Sequence, residues 1–231
     1  LGTCFRNKIF RGYKADRPTA PRELKIQFSL CREFLDILGI KNFASDKYEA
    51  DDIIYTISKQ NAKENIQNII ITNDKDLYQA INLGDLWWNL TNKRLSYNHI
   101  QKNLGFSPKY FTDYQALVGD SVDSVPGAPG IGKVTATYLI KKYKTINEVY
   151  NNLHNLKLVE KGKYSRIADI LIKNEKIIYI SKKLVTLNII DEIEFSQIRV
   201  SPDLDRLKKF LNKVGVSKNT VKVWDKFITC R

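Results

Sequence analysis

A short isoleucine run between helical patterns is the feature that most constrains how this chain folds. Residues 67–72 enclose Ile69–Ile71 and lead directly into polar residues, which is typical of a short buried strand. Residues 48–60 repeat apolar side chains at helical spacing, and they predict a helix that buries Ala50, Ile53, Ile54 and Ile57. Because helix and strand alternate in the first half of the chain, we predict a small α/β layer with parallel strands.

The other segments follow the same two periodicities. Residues 21–38 predict a helix, because Pro21 suits a first turn and Gly39 suits the position after the last one. Its predicted buried face, at 4-3-4-3 spacing, is Leu24, Phe28, Cys31, Leu35 and Leu38. The remaining predicted elements are a hairpin of residues 86–89 and 94–96 and helices at 110–117, 133–142 and 165–180.

The charge balance favours a polyanionic partner. The 231 residues carry 38 Lys and Arg against 25 Asp and Glu, a formal net charge of +13, and such an excess is typical of nucleic-acid binding. No apolar run approaches the ~18 residues that span a membrane. We therefore predict a cytoplasmic, nucleoid-associated protein with no membrane partner; an organelle is the alternative location.

Cysteine and histidine are too sparse to carry the chemistry. The three cysteines are far apart, which excludes a CxxC zinc pair and a disulfide framework. His99 and His154 each stand alone in a polar stretch, which is typical of surface residues rather than of a general base. Any catalysis must therefore depend on carboxylates, lysines or metal ions.

Carboxylates collect in three short segments of this otherwise cationic chain. Each segment alone has a structural explanation: charges at a helix start, an Asx-type turn, or a helix cap. Together they concentrate negative charge that a hard divalent cation such as Mg²⁺ or Mn²⁺ would neutralise. The seven acids are Glu49, Asp51, Asp52, Asp74, Asp76, Asp120 and Asp123.

Two such ions, about 3.5–4 Å apart, stabilise the attacking and leaving oxygens of a phosphodiester during in-line displacement. The second acidic segment follows the predicted strand, and the carboxyl ends of parallel strands border the crevice where α/β sheets bind ligands. An acidic metal site within a basic protein is the electrostatic pattern of a nuclease.

A glycine turn precedes the helix predicted at residues 133–142. Gly130 and Gly132 let the backbone present N–H groups at the head of that helix, and such groups bind phosphate oxygens. The segment from Gly127 to Lys133 formally matches a P-loop, but Val134 replaces its Ser or Thr and no strand precedes it. We favour a hairpin between two helices, in which Ile131 is buried and the glycine N–H groups bind a DNA backbone. The alternative is a plain helix–helix turn without a DNA contact.

Four motifs in order resemble the 5′-nuclease superfamily, which includes the 5′-to-3′ exonuclease domain of bacterial DNA polymerase I and phage flap endonucleases. They are Tyr13-Lys14-Ala15-Asp16-Arg17-Pro18, Glu49-Ala50-Asp51-Asp52, Asn73-Asp74-Lys75-Asp76, and the segment from Gly119-Asp120-Ser121-Val122-Asp123 to Pro129-Gly130-Ile131-Gly132. Two departures from the family pattern are Asn73, in place of a glycine, and Ser124, in place of an asparagine.

The resemblance implies a PIN-like α/β nuclease core with a mainly parallel sheet, a helical arch, and a helix–three-turn–helix element built on the glycine turn. We accordingly predict a core with arch at residues 1–115 and a DNA-binding region with C-terminal helices at residues 116–231. The seven acids would be ligands of two Mg²⁺ or Mn²⁺ ions, directly or through water.

The resemblance also implies roles for individual residues. Lys14 and Arg17 would orient or stabilise the scissile phosphate, and Tyr13 would stack on a base. Gly130, Gly132 and Lys133 would contact duplex DNA. The backbone carbonyls of Gly127, Ala128 and Ile131 would hold a monovalent cation, K⁺.

The beginning of the sequence departs from the family. Relatives carry one Asp in an N-terminal strand and another shortly before the Tyr13 motif, whereas this sequence starts at Leu1 and contains no Met. We therefore expect the first strands and two ligands to be missing from the sequence as given.

The expected function is structure-specific cleavage of branched or 5′-ended DNA in replication or repair. The expected substrates are 5′ flaps, primer ends and single-strand/double-strand junctions, with a DNA polymerase domain or protein as a further partner. Two alternatives stay open: a catalytically inactive binder of branched DNA, and a PIN-type ribonuclease, which shares the carboxylate chemistry but does not need the glycine turn.

Overall fold

The computed structural model describes residues 4–91, 93–159, 163–193, 201–217, 219–220 and 222–224. Asn92, in the predicted hairpin turn, lies outside the described residues. The chain divides into two units: unit 1 comprises Leu1–Arg17 and Ser45–Phe195, and unit 2 comprises Pro18–Ala44 and Ser196–Arg231. The division at residues 115 and 116 that we predict from the sequence stays a prediction.

The elements alternate between helices and short strands in the first half of the chain and are helical afterwards, as the sequence predicts. The helices are α1 (Phe5–Ile9), α2 (Arg22–Ile37), α3 (Ala50–Lys63), α4 (Tyr97–Leu104), α5 (Phe111–Val118), α6 (Lys133–Tyr143), α7 (Ile146–Asn151), α8 (Leu153–Val159), α9 (Lys163–Val185) and α10 (Leu204–Lys213). The strands are β1 (Ile69–Ile71), β2 (Leu86–Trp88) and β3 (Arg94–Ser96), and two short 3-10 helices cover Lys75–Ala80 and Pro108–Tyr110.

Within the described residues, three strands form one sheet in the order β1-β2-β3. β1 pairs with β2 in parallel, with Ile70 opposite Trp87, and this confirms the predicted parallel layer. β2 and β3 pair antiparallel as the predicted hairpin. The prediction that the isoleucine run is fully buried is wrong: Ile70 is buried, but Ile69 and Ile71 are 54% and 58% exposed, because only one face of β1 packs on the core.

The main core of unit 1 lies where α9 packs against α5 and α8. Its fully buried side chains include Leu117, Leu139, Ile140, Leu171 and Ile178. The predicted helices at 110–117, 133–142 and 165–180 are confirmed as α5, α6 and the longer α9. The chain that follows α5 consists of the loop of residues 119–127 and then the glycine turn. The packing of α5 determines where this chain begins.

In unit 2, α2 packs against α10 mainly with a face other than the predicted one, although Leu38 of the predicted face contacts the apolar cluster. Leu24 and Phe28 are 41% and 46% exposed, and Cys31 is also exposed. The apolar cluster instead contains Phe34 and Ile37 from α2, together with Leu207, Phe210 and Leu211 of α10. Pro21 is the N-cap of α2 rather than part of its first turn. Within the described part of the chain, no helix is long and apolar enough to cross a membrane.

Candidate active site

Carboxylates from all three acidic segments line one cleft in unit 1. The cleft is narrow and partly open to solvent. The carboxylates at its wall are those of Glu49, Asp51, Asp76, Asp120 and Asp123. Acids that are up to 74 positions apart in the sequence therefore line the same cleft, and this lining includes all of the seven predicted ligands except Asp52 and Asp74.

The first segment is held at the start of α3 by a capping box. Glu49 is the N-cap residue, and its backbone N–H donates to the Asp52 carboxylate at 3.1 Å. Successive side chains on a helix point about 100° apart, so Asp51 and Asp52 face different surroundings. Asp51 turns toward the cleft, and Asp52 turns into the protein.

Asp52 is fully buried in an ion pair with Arg6. The Arg6 guanidinium donates two hydrogen bonds of 2.7 Å to the two carboxylate oxygens, and the backbone N–H of Asn188 donates a third at 2.9 Å. The prediction of Asp52 as a metal ligand does not fit this geometry, because both of its oxygens are occupied by protein donors. We leave Asp52 out of the proposed ligand set.

Arg6 is a residue that our sequence reasoning missed. It is 1% exposed, and its guanidinium also donates to the carbonyls of Leu184 (2.7 Å) and Thr186 (2.9 Å) and to Glu49 (3.2 Å). The sequence itself gives little signal, because Arg6 follows Phe5 but is followed by the polar residues Asn7 and Lys8. Its partners at residues 184 and 186 are too distant in the chain to be inferred.

The second segment begins where β1 ends. Asp74 is exposed and caps the 3-10 helix Lys75–Ala80, where its side chain accepts the Asp76 N–H at 2.9 Å. Asp76 is half-buried, and its carboxylate accepts a hydrogen bond from the Gln115 amide. Asp76 therefore lies beyond the carboxyl end of β1 and faces the cleft. Asp74 is close enough for its negative charge to act on the Asp76 carboxylate.

The third segment is a loop closed at its neck by two glycines. Asp120 and Val125 exchange backbone hydrogen bonds of 2.9 and 2.7 Å, and the Asp120 carboxylate accepts the Val122 N–H at 2.8 Å. Gly119 and Gly127 both have positive φ, and a Cβ on Gly127 would lie 2.5 Å from the Gly119 nitrogen. Only glycine fits this contact, which holds Asp120 and Asp123 at the cleft.

Two cations from the Tyr13 motif lie against these acids. Lys14 Nζ is 2.5 Å from Glu49 and 3.3 Å from Asp123, and Arg17 forms an ion pair with Asp123. The Lys14 backbone has φ +54°, a left-handed conformation that is uncommon for lysine and costs free energy. It is held by a hydrogen bond from the Lys14 N–H to the Asp123 carbonyl at 3.0 Å.

Tyr13 does not fit the predicted role of stacking on a base. The side chain is 4% exposed and packs with Cys4, Val125 and Leu184. Its hydroxyl donates to Glu49 at 2.9 Å. In this structure Tyr13 therefore orients a carboxylate of the cleft from inside the protein.

Negative charge in the cleft is only partly neutralised by these cations. Burial and the nearby Asp74 raise the pKa of Asp51 to about 6. Burial and Asp74 likewise raise the pKa of Asp76 to about 7. Carboxylates that disfavour each other's ionisation in this way are the oxygen donors that a hard divalent cation binds.

The residues present fit such a cation by their chemistry. Among the described residues, no hydrogen bond reaches the Asp51 carboxylate, and the buried Gln115 Oε1 beside Asp76 has no partner. In the same residues, no three His, Cys, Asp or Glu side chains are arranged closely enough to form a metal site as they stand. Lys14 and Arg17 form ion pairs with Glu49 and Asp123. These ion pairs would therefore have to break before a metal ion could bind the two carboxylates.

The glycine turn follows the acidic loop directly. Ile131 is buried, as we predict, and Lys133 is exposed at the start of α6. Gly132 is the N-cap of α6, has φ −86°, and has open space where a Cβ would lie. The Ala128 carbonyl accepts the Ile131 N–H at 2.8 Å. The proposed phosphate contacts and the monovalent-cation site at this turn stay predictions.

Comparison with known proteins identifies the family. Residues 2–105 match the model of a 5′-3′ exonuclease N-terminal resolvase-like domain, and residues 106–205 match that of a 5′-3′ exonuclease C-terminal SAM fold. This chain belongs to the 5′-3′ exonuclease family. The resemblance that we draw from the four sequence motifs is thereby confirmed.

Individual members of the family are similar over almost the whole chain. A 5′-3′ exonuclease of Buchnera aphidicola subsp. Acyrthosiphon pisum is 31% identical over 97% of this chain and 76% of its own length. A 5′-3′ exonuclease of Aquifex aeolicus is 33% identical over 96% of this chain and 74% of its own. DNA polymerase I of Streptococcus pneumoniae is 28% identical over 92% of this chain but only 24% of its own length.

Solved structures agree with the predicted PIN-like nuclease fold. The T5 D15 protein co-crystallised with metal ions matches with a TM-score of 0.64 and 19% identity, over 99% of this chain and 80% of that one. The catalytic core of Rad2 in complex with DNA substrate matches with a TM-score of 0.63 and 16% identity, over 99% and 76%. The family's exonuclease fold is therefore shared by this chain.

Proposed function

We propose that this protein is a structure-specific 5′ nuclease that hydrolyses phosphodiester bonds in branched or 5′-ended DNA with two divalent metal ions. The observation that carries the proposal is the cleft that five carboxylates from three segments line beside Lys14 and Arg17. Family membership and a net charge of +13 support a DNA substrate.

Five residues would hold the ions: Glu49, Asp51, Asp76, Asp120 and Asp123. Bound Mg²⁺ or Mn²⁺ would supply Lewis-acid stabilisation of the attacking and leaving oxygens of the phosphodiester. Asp74 would add negative charge beside the set, and Gln115 would orient Asp76 through its amide.

Lys14 and Arg17 would act on the scissile phosphate itself. Both side chains already lie within ion-pair contact of carboxylates in the cleft, so a phosphate oxygen that replaces one of those carboxylates would meet a preplaced positive charge. The strained Lys14 backbone keeps its ammonium group between Glu49 and Asp123. Tyr13 would limit the motion of Glu49 when Lys14 moves to the phosphate.

The decisive experiment measures cleavage of four labelled substrates: a 5′-flap DNA, an unbranched duplex, single-stranded DNA and single-stranded RNA. We expect Mg²⁺-dependent release of 5′ fragments from the flap, faster than from the other three substrates, and no release in EDTA. Retained binding without cleavage would favour the inactive branched-DNA binder. Cleavage of RNA alone would favour the PIN-type ribonuclease.

A polymerase is the partner that the relatives suggest. In relatives named DNA polymerase I, a segment similar to this chain makes up about a quarter of the length. We infer that this protein removes the primer ends and flaps that a DNA polymerase displaces. Adding purified polymerase to a nicked, primed template is expected to increase the number of 5′ fragments released.

A matched glycine pair tests the DNA contact at the turn. Gly132→Val is expected to weaken duplex binding by about fivefold or more without lowering the melting temperature, because its Cβ enters open space where a phosphate would approach. Gly127→Val is expected to lower the melting temperature, since its Cβ collides with backbone atoms. Equal loss of affinity for duplex and single strands in Gly132→Val would contradict the contact.

Lys133 tests the charge at the same contact. Lys133→Ala is expected to weaken duplex binding modestly and to reduce the slope of log K against log salt by about one, because one fewer counterion is released. The measurement is duplex affinity over a salt series, with Lys213→Ala as the control lysine in unit 2. An unchanged slope in Lys133→Ala would exclude the phosphate contact of this residue.

A further inference from the structure

One buried hydroxyl connects α9 to the segment that carries both the acidic loop and the glycine turn. We propose that Ser181 is a positioning residue, which fixes Asp120 and Asp123 at the cleft through the backbone amide of Gly127. This inference rests on the proposed function, since it assigns Ser181 a part in the nuclease reaction.

The contact is a single hydrogen bond between two buried groups, the Ser181 hydroxyl and the Gly127 backbone amide. Ser181 is 0% exposed, and its Oγ accepts the Gly127 N–H at 3.0 Å across 54 positions of sequence. Because Gly127 is itself buried, no water would replace the lost acceptor if the hydroxyl were removed. A buried N–H without an acceptor favours a rearranged backbone.

A rearrangement of the Gly127 backbone would change the positions of Asp120 and Asp123. The Gly127 backbone lies against Gly119 at the neck of the loop, so neither glycine can move without the other. Between them, the paired backbones of Asp120 and Val125 close the loop that holds Asp123. A displaced Gly127 amide would therefore shift the carboxylates of Asp120 and Asp123.

Gly127 is anchored from the other side as well. The next residue, Ala128, donates its N–H to the Leu117 carbonyl at 2.8 Å, and this ties the chain back to α5. With Ser181 on α9 and Leu117 on α5, the segment is held between two helices that pack on each other. Of these contacts, only the Ser181 hydroxyl belongs to a side chain, so one substitution can remove it without replacing a residue of the loop itself.

Ser58 provides a matched control. It is also a buried serine in a helix, 1% exposed, and its hydroxyl donates to the Ala80 carbonyl. Neither serine lines the cleft. Ser58→Ala and Ser181→Ala each delete one buried hydroxyl, and both are expected to lower the melting temperature.

The test compares wild type, Ser181→Ala and Ser58→Ala at a temperature where circular dichroism shows all three fully folded. In Ser181→Ala, we expect Mn²⁺ affinity and the flap-cleavage rate at saturating DNA to fall by about tenfold, as second-shell changes do elsewhere. The Gly127 amide is expected to exchange its hydrogen about tenfold faster. Ser58→Ala is expected to leave all three quantities within about twofold of wild type.

The readouts separate this inference from the proposed function. Wild-type protein that binds Mn²⁺ but cleaves no substrate would overturn the proposed function, while the comparison of Mn²⁺ affinities would still decide the role of Ser181. Equal effects of the two substitutions on Mn²⁺ affinity would overturn the positioning role. Unchanged exchange of the Gly127 amide in Ser181→Ala would overturn it as well.

Discussion

Asp51→Asn is expected to lower the rate of flap cleavage by on the order of 100-fold or more, a larger effect than loss of a second-shell partner. Asparagine keeps the size of the side chain and removes the charge of a carboxylate that, among the described residues, accepts no hydrogen bond from the protein. DNA affinity is expected to stay the same or to increase, because one negative charge near the phosphates is lost. Single-turnover cleavage and binding in Ca²⁺ measure the two effects separately.

Asp169→Asn is the matched control for this substitution. Asp169 is an exposed carboxylate paired with Lys157 at 3.1 Å and does not line the cleft. Asp169→Asn should cleave at the wild-type rate, and neither variant should have a melting temperature below that of the wild type. Wild-type cleavage by Asp51→Asn would show that the cleft carboxylates are not the metal ligands.

Arg6→Met is expected to lower the free energy of unfolding by about 3–5 kcal/mol, the usual cost of breaking a buried ion pair. The substitution leaves the fully buried Asp52 charge without its counter-ion and removes the donors from the carbonyls of Leu184 and Thr186. Arg6→Lys is expected to recover only part of the loss, since an ammonium group cannot reproduce the two parallel hydrogen bonds. Urea denaturation followed by circular dichroism measures the change.

Two controls bracket the Arg6 result. Lys157→Met removes the basic partner of a surface ion pair and is expected to cost at most about 1 kcal/mol. In the double variant Arg6→Met with Asp52→Asn, part of the lost stability should return, because the isolated charge is gone. A loss below about 1 kcal/mol in Arg6→Met would contradict a stabilising role for this pair.

Local sequence determines where the acids stand along the chain and how each is held locally. Glu49 and Asp52 are three residues apart, and this spacing allows the capping box that forms at the start of α3. The acids after Ile69–Ile71 follow a strand and therefore lie at its carboxyl end. Gly119 and Gly127 provide the conformations that the loop neck requires. The helix start and the strand end were predicted from periodicity, because these features depend on contacts within a few residues.

The tertiary structure decided that Asp51, and not its neighbour Asp52, lines the cleft. Asp51 and Asp52 look equivalent in the sequence, but only Asp52 meets Arg6, which in turn is held by carbonyls 178 and 180 positions away. Tyr13 was likewise assigned an exposed role, although it packs against Leu184. Contacts over such separations depend on how whole elements pack, and no local pattern encodes them.

The apolar faces were decided in the same way. Besides the predicted 4-3-4-3 face with Leu24 and Phe28, α2 carries a second apolar series that includes Phe34 and Ile37, and the packing of α10 selects this second series. In β1, three identical isoleucines divide into one buried and two exposed side chains because a strand alternates its faces. Sequence by itself determined the α/β class and the clustering of carboxylates along the chain, since these follow from local composition and spacing, and its four motifs carried the resemblance to the family. The partner of each side chain was decided by tertiary packing, because burial and pairing depend on residues that only the folded chain brings together.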